Sequence, residues 1–126
     1  MSVVGIGTDL VAVARIRRLH DGHGDRFLSR ILTEPERRQA ENYHDPVAFL
    51  ARRYAAKEAA VKALGTGIAA GVGFHDIEVL NDERGAPRIT FGGEAARRAE
   101  ALGANEAHVS ISDEREYALA FVVLAR

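Results

Sequence analysis

An α+β fold, an antiparallel sheet packed against a long helix, is predicted by three observations. Segments with helical periodicity crowd the first half of the chain, segments that alternate like strands crowd the second, and the latter come in pairs joined by short polar turns. The 126 residues make one domain, 1–126.

The elements follow in order. Val3-Val4-Gly5-Ile6-Gly7 reads as a short strand, and Asp9 at its end can cap a helix over 10–19. The glycine-bearing segment 20–25 reads as a loop, and 26–32 as a short helix. Thr33-Glu34-Pro35-Glu36 has the spacing of a capping box and opens a helix to about residue 43. A long helix comes next. Asp45 suits its N-cap, Pro46 its first position, and Gly65 the left-handed residue past its end. Beyond it, 75–80 and 87–91 alternate as strands about a turn at 82–85, 93–102 reads as a helix, and 107–112 pairs with 117–124 about 113–116.

The composition bounds the function. Of the 126 residues, 22 are alanine and none is tryptophan, so bulky core-formers are scarce and association into an oligomer is expected. The chain has no cysteine, which excludes a disulfide framework and a zinc-thiolate site. With 17 basic and 18 acidic residues the net charge is −1, against the basic excess of a general nucleic-acid binder. The start lacks a basic, apolar leader, and the apolar run from Ala118 to Ala125 is too short to span a bilayer. A soluble, cytoplasmic protein is expected.

The long helix carries the main chemical signal. At ~100° per residue, Val47, Leu50, Ala51, Tyr54 and Val61 form one stripe, and Glu58 falls in its middle. A carboxylate on a buried face must be neutral, paired or bound to a metal. The alternative is a solvated pair with Lys62 in the favourable Glu-before-Lys order. Asp9 is either a helix cap or a metal ligand, and the two are compatible. Two carboxylates suit Mg²⁺, with phosphate oxygens and waters completing its shell.

Lys57 and Lys62 would then face phosphates, although Lys57 also reads as an ordinary surface lysine. Gly65-Thr66-Gly67 offers backbone N–H groups and a hydroxyl, yet it is not a P-loop and taken alone reads as a helix C-cap. Arg15, Arg17 and Arg18 form a basic face, either solvated or able to steer an acidic partner. His108 can be a base, a phosphate donor or a satisfied sheet histidine.

Taken together, Gly5-Ile6-Gly7-Thr8-Asp9, Ala51-Arg52-Arg53-Tyr54-Ala55-Ala56-Lys57-Glu58-Ala59, Lys62-Ala63-Leu64-Gly65-Thr66-Gly67, Gly85-x-Pro87 and His108-Val109-Ser110-Ile111-Ser112 closely resemble the holo-[acyl-carrier-protein] synthase family of small 4′-phosphopantetheinyl transferases. The resemblance implies that fold, and transfer of phosphopantetheine from coenzyme A to a serine of an acidic acyl carrier protein, leaving adenosine 3′,5′-bisphosphate. It implies that Asp9 and Glu58 hold Mg²⁺. Lys62, Lys57, Gly65 and Thr66 would contact phosphates, Gly85 and Pro87 would approach the adenine, and His108 would lie near the cofactor. Arg15 and Arg18, with Arg26, would receive the carrier protein. It further implies a homotrimer with active sites between subunits and a place in fatty-acid synthesis. Asp113 stands where many relatives carry histidine, so no 3′-phosphate contact is carried over to it.

The implied reaction is an in-line attack on the β-phosphate, with Lys62 stabilising the leaving bisphosphate and Glu58, a metal-bound water or His108 as the base. Two rivals stand beside it. One is another magnesium-dependent nucleotide transferase. The other is a trimeric module for acidic partners, in which Glu58 and Lys62 are a buried structural pair.

Overall fold

A computed structural model describes residues 2–66 and 71–126. The order is β1 (Val3–Ala12), α1 (Val13–His23), α2 (Asp25–Ile31), α3 (Glu34–Ala40), α4 (Val47–Leu64), a 3-10 turn (Phe74–Asp76), β2 (Ile77–Asn81), β3 (Pro87–Phe91), α5 (Gly93–Ala101), β4 (Glu106–Asp113) and β5 (Tyr117–Ala125). Two antiparallel sheets form, one of three strands in the order β1-β5-β4 and one of β2 and β3. The α+β reading therefore holds, with both expected hairpins. The pairing of β1 with β5, a contact between the two ends of the chain, had no local signal.

β1 is longer than its sequence suggests. It continues through Asp9 and Leu10 to Ala12 because β5 pairs with it continuously from Gly5↔Leu124 to Ala12↔Tyr117. Asp9 is consequently not a helix cap. α1 begins only at Val13, after Ala12, and has no side-chain cap. It also runs on through the expected loop to His23 and stops at Gly24, whose N–H donates to the His20 carbonyl (2.6 Å). Thr33 and Glu36 form the expected capping box. α4 starts one residue late, with Asp45 Oδ1 accepting from the Val47 N–H (3.1 Å).

α4 is the centre of the molecule. It is buried almost all round, not along one stripe. Leu50, Ala51, Ala55, Ala56, Ala59, Ala60 and Leu64 are all inaccessible. The many alanines explain this, since they let β1 and β5 close onto the helix without intervening bulk. Gly5 and Gly7 extend that fit. A Cβ on Gly7 would overlap the Ala59 carbonyl oxygen and stand 2.7 Å from the Ala63 nitrogen. Strand and helix backbones thus meet directly, and the period-two alternation that turns Gly5 and Gly7 toward α4 does the same for Asp9 and Val11.

The other face of the three-stranded sheet is open among the described residues and carries an exposed apolar stripe beside Thr8, His108, Ser110 and Ser112. Cross-strand rows place Ile6 beside Val123 and His108, Thr8 beside Phe121 and Ser110, and Leu10 beside Leu119 and Ser112. Ile6 and Leu10 are 61% and 63% exposed, and Leu119 and Phe121 are exposed beside them. No helix of the described residues is long and apolar enough to cross a membrane.

Candidate active site

Asp9 and Glu58 meet where β1 crosses α4. Lys62, one turn after Glu58, donates to the Thr8 carbonyl (2.9 Å) and to Asp9 Oδ1 (3.2 Å). The Asp9 side chain is 16% exposed and that of Lys62 54%, so the carboxylate is sheltered and the ammonium opens to solvent. Glu58 is half-buried. Its carboxyl is held above the usual range first by burial and then by the Asp9 charge, with Lys62, Arg15 and Tyr54 pulling it back. Two carboxylates repelling each other at the edge of a low-dielectric core form a poor structural pair and a good cation site.

The donor set fits Mg²⁺. Both groups are hard oxygen donors, and among the described residues no third Asp, Glu or His joins them. The other coordination positions are thus left to waters and phosphate oxygens, the arrangement this ion favours.

Tyr54 and Arg15 complete the cluster, a role that the sequence pattern of neither residue shows by itself. Tyr54 counted only as part of an apolar stripe. Its hydroxyl receives Arg15 Nη2 (3.4 Å), and the Arg15 guanidinium lies 5.6 Å from its ring centroid. Burial and the Glu58 charge hold the Tyr54 phenol up. One turn of spacing before Glu58 was the available signal for Tyr54. Arg15 therefore borders the carboxylate site. Arg17 is tied to Asp45 (2.6 Å), while Arg18 and Arg26 are exposed on α1 and α2. The basic face leads from solvent to the carboxylates.

Lys57 requires a correction. It is neither a surface lysine nor placed to contact a phosphate. Its side chain is fully buried on another side of α4, where Nζ donates to Glu36 Oε1 (2.6 Å), the Ile31 carbonyl (2.7 Å) and the Phe74 carbonyl (3.0 Å). An ammonium has three N–H groups, and all three are used. Burial lowers its pKa against the pull of Glu36. Glu36 also accepts from the N–H groups of Thr33 (2.8 Å) and Val79 (2.7 Å), so the pair locks α3, α4 and β2 together. The role of Glu36 beyond its capping box carried no signal in the sequence.

Gly65 ends α4 in the left-handed region (φ 76°), where a side chain would be strained. The Thr66 hydroxyl is buried without a partner among the described residues. Gly67, expected in the same turn, lies outside the described residues.

The remaining expected residues lie elsewhere within one chain. Gly85 and Pro87 belong to the β2–β3 hairpin. This hangs from α4 through Arg53 Nη2, which donates to Asn81 Oδ1 (3.0 Å), and Arg53 projects about 140° round the helix from Glu58. Burial pushes the Arg53 guanidinium down to about 10. His108 stands on the open face of the sheet, its side chain 62% exposed, near Glu106 Oε2 (3.3 Å). The sheet itself separates it from Asp9. Asp113 faces Arg52 Nη1 (3.4 Å).

A buried-edge carboxylate pair with an adjacent ammonium, carried on a strand and a central helix, has the donors to hold a divalent cation beside a group-transfer substrate. The chain belongs to the 4′-phosphopantetheinyl transferase superfamily, whose model it matches over residues 5–122. It is 57% identical over 123 residues to the holo-[acyl-carrier-protein] synthase of Alkalilimnicola ehrlichii, covering 97% of this chain and 96% of that one. It is 48% identical over 124 residues to the synthase of Escherichia coli, covering 98% of each. Among solved structures, the synthase of Neisseria meningitidis superposes with a TM-score of 0.91 at 41% identity, covering 99% of this chain and 100% of that one. The Bacillus anthracis synthase, in complex with coenzyme A (3′,5′-ADP), gives a TM-score of 0.81 at 43% identity, covering 97% and 96%.

Proposed function

We propose that this chain transfers the 4′-phosphopantetheine moiety of coenzyme A to a serine of apo acyl carrier protein, releasing adenosine 3′,5′-bisphosphate. Close relatives over nearly the full length of the chain carry this name, and relatives of the same fold bind coenzyme A. The observation that carries the reading is the Asp9–Glu58 pair beside Lys62.

In this reading Asp9 and Glu58 hold Mg²⁺, which when bound supplies charge neutralisation at the pyrophosphate. Lys62 faces the leaving bisphosphate with its exposed ammonium and stabilises the charge that develops there. Arg15, Arg18 and Arg26 guide the acidic carrier protein, bringing its serine to the Glu58 end of α4. Of the two side chains considered as base, only Glu58 stands beside Asp9 and Lys62 in the same chain.

The active form is a homotrimer. The uncovered rows Ile6–Val123 and Leu10–Leu119 supply the apolar face that a neighbouring copy covers. His108 shares that face and the Gly85–Pro87 hairpin hangs from another side of α4, so both join a carboxylate pair only across a subunit boundary. We place the activity in the cytoplasm, where it supplies carrier protein for fatty-acid synthesis.

The test is transfer itself. Chain, coenzyme A, Mg²⁺ and apo carrier protein should yield modified carrier protein, and chelator should stop the reaction. Turnover with ATP in place of coenzyme A would favour a different nucleotide transferase. A folded, assembled protein indifferent to Mg²⁺ and inactive with several carrier proteins would favour the binding module.

A further inference from the structure

The turn after α4 is a poor place for a phosphate on its own. It sits at the C-terminal end of an 18-residue helix, the negative end of the helix dipole, where carbonyl groups lack intrahelical partners. The Gly65 and Thr66 N–H groups, the natural anion donors there, are already given to the Lys62 and Val61 carbonyls (3.0 and 3.1 Å). Lys62 does not correct the charge at this end, because its ammonium reaches back to Thr8 and Asp9 on β1.

Arg98, from α5, does correct it. Its Nε donates to the Leu64 carbonyl (2.9 Å), and its Nη2 would stand 3.5 Å from a Cβ built on Gly65. The guanidinium thus lies against the turn, taking one of its free carbonyls and leaving a positive charge over it. No carboxylate among the described residues lies within ion-pair distance of Arg98, whereas its neighbour Arg97 is paired with Glu94 (2.8 Å). One residue beyond Gly65, the Thr66 hydroxyl is buried and unpartnered among the described residues.

We infer that Arg98 is a binding residue for a phosphate of the coenzyme. It reverses the electrostatic sign of the helix C-terminus and, with the Thr66 hydroxyl, makes the turn accept the anion. This inference rests on the transferase reading above. Nothing local in the sequence marks Arg98, which reads as one more charge on a surface helix.

The test is calorimetric titration of coenzyme A, and separately of adenosine 3′,5′-bisphosphate, into the assembled protein and its variants. Arg98→Gln keeps a donor for the Leu64 carbonyl and removes the charge. Its dissociation constant for both ligands should rise about tenfold at low salt, as expected for loss of a charge-assisted contact, and the gap should narrow as salt screens the interaction. Arg98→Lys keeps the charge and should bind within about threefold of the unmutated chain. Equal affinities in Arg98→Gln and the unmutated protein would overturn the proposal and leave the transferase reading standing. So would a loss that is the same at every salt concentration, or an Arg98→Lys variant as weak as Arg98→Gln. Failure of the unmutated chain to bind coenzyme A would instead remove the transferase reading, and this proposal with it.

Discussion

Gly7 of β1 rests directly on the backbone of α4 at Ala59, leaving no room for a Cβ between strand and helix. That contact fixes the height at which Asp9, two residues on, meets Glu58 and Lys62. Gly7→Ala should therefore destabilise the protein by about 3 kcal/mol, the upper end of an overpacking penalty, and should depress turnover in the fraction that folds. Urea unfolding followed by circular dichroism measures the first, and an unchanged midpoint would show that the strand can lift away freely.

Glu58→Gln separates catalysis from stability. Turnover should fall by roughly two orders of magnitude, as for other lost electrostatic groups at a reacting phosphate. The folded-state pKa of Glu58 is raised by burial and by Asp9, so the folded protein binds that proton more tightly than the unfolded chain does. The unmutated protein therefore carries a penalty above the folded pKa, and loses it as the pH falls toward the ordinary glutamate range. Glu58→Gln should melt no lower than the unmutated protein at pH 7, and the difference should shrink on acidification. A large fall in melting temperature at pH 7 would instead mark Glu58 as a structural partner of Lys62.

The buried Lys57–Glu36 pair predicts the opposite behaviour. Lys57→Met leaves the Glu36 carboxylate in the core without its cation and should cost about 3–5 kcal/mol. Coenzyme A affinity of the protein that remains folded should be nearly unchanged, because the ammonium faces Ile31 and Phe74, away from the carboxylate site. Equilibrium unfolding and calorimetry on the same sample decide between this and a phosphate contact.

These two cases show where the sequence was readable. Glu58 was legible because a single charge interrupted an apolar pattern. Asp9 was found as well, but for a mixed reason. Its strand could not be followed past Gly7, since the β5 partner that extends it lies more than a hundred residues away and leaves no local trace. Lys57 was misplaced because α4 is wrapped on nearly all sides, so the one-stripe assumption put its edge in solvent. Tyr54 and Arg15 each looked ordinary in isolation. Only the crossing of α1 over α4 joins them. Glu36 was visible as a cap and not as the counter-ion of a lysine 21 residues away.

The sheet face and the position of His108 predict sites shared between copies. Phe121→Asp should convert the assembly to monomers by light scattering and abolish transfer while the chain stays folded. Mixing inactive Glu58→Gln with impaired His108→Ala under conditions that exchange subunits should recover part of the activity, since some boundaries then pair an intact carboxylate site with an intact histidine. No recovery after demonstrated exchange would place the whole reaction within one chain.

The carboxylate pair on β1 and α4 should direct transfer of phosphopantetheine to a carrier protein. Intact-mass spectrometry of apo acyl carrier protein, incubated with this chain, coenzyme A and Mg²⁺, tests it most directly. A mass gain of one phosphopantetheine is expected, and it should disappear with chelator and with Glu58→Ala. An unmodified carrier protein in the presence of folded, assembled enzyme, or modification that survives loss of Glu58, would contradict it.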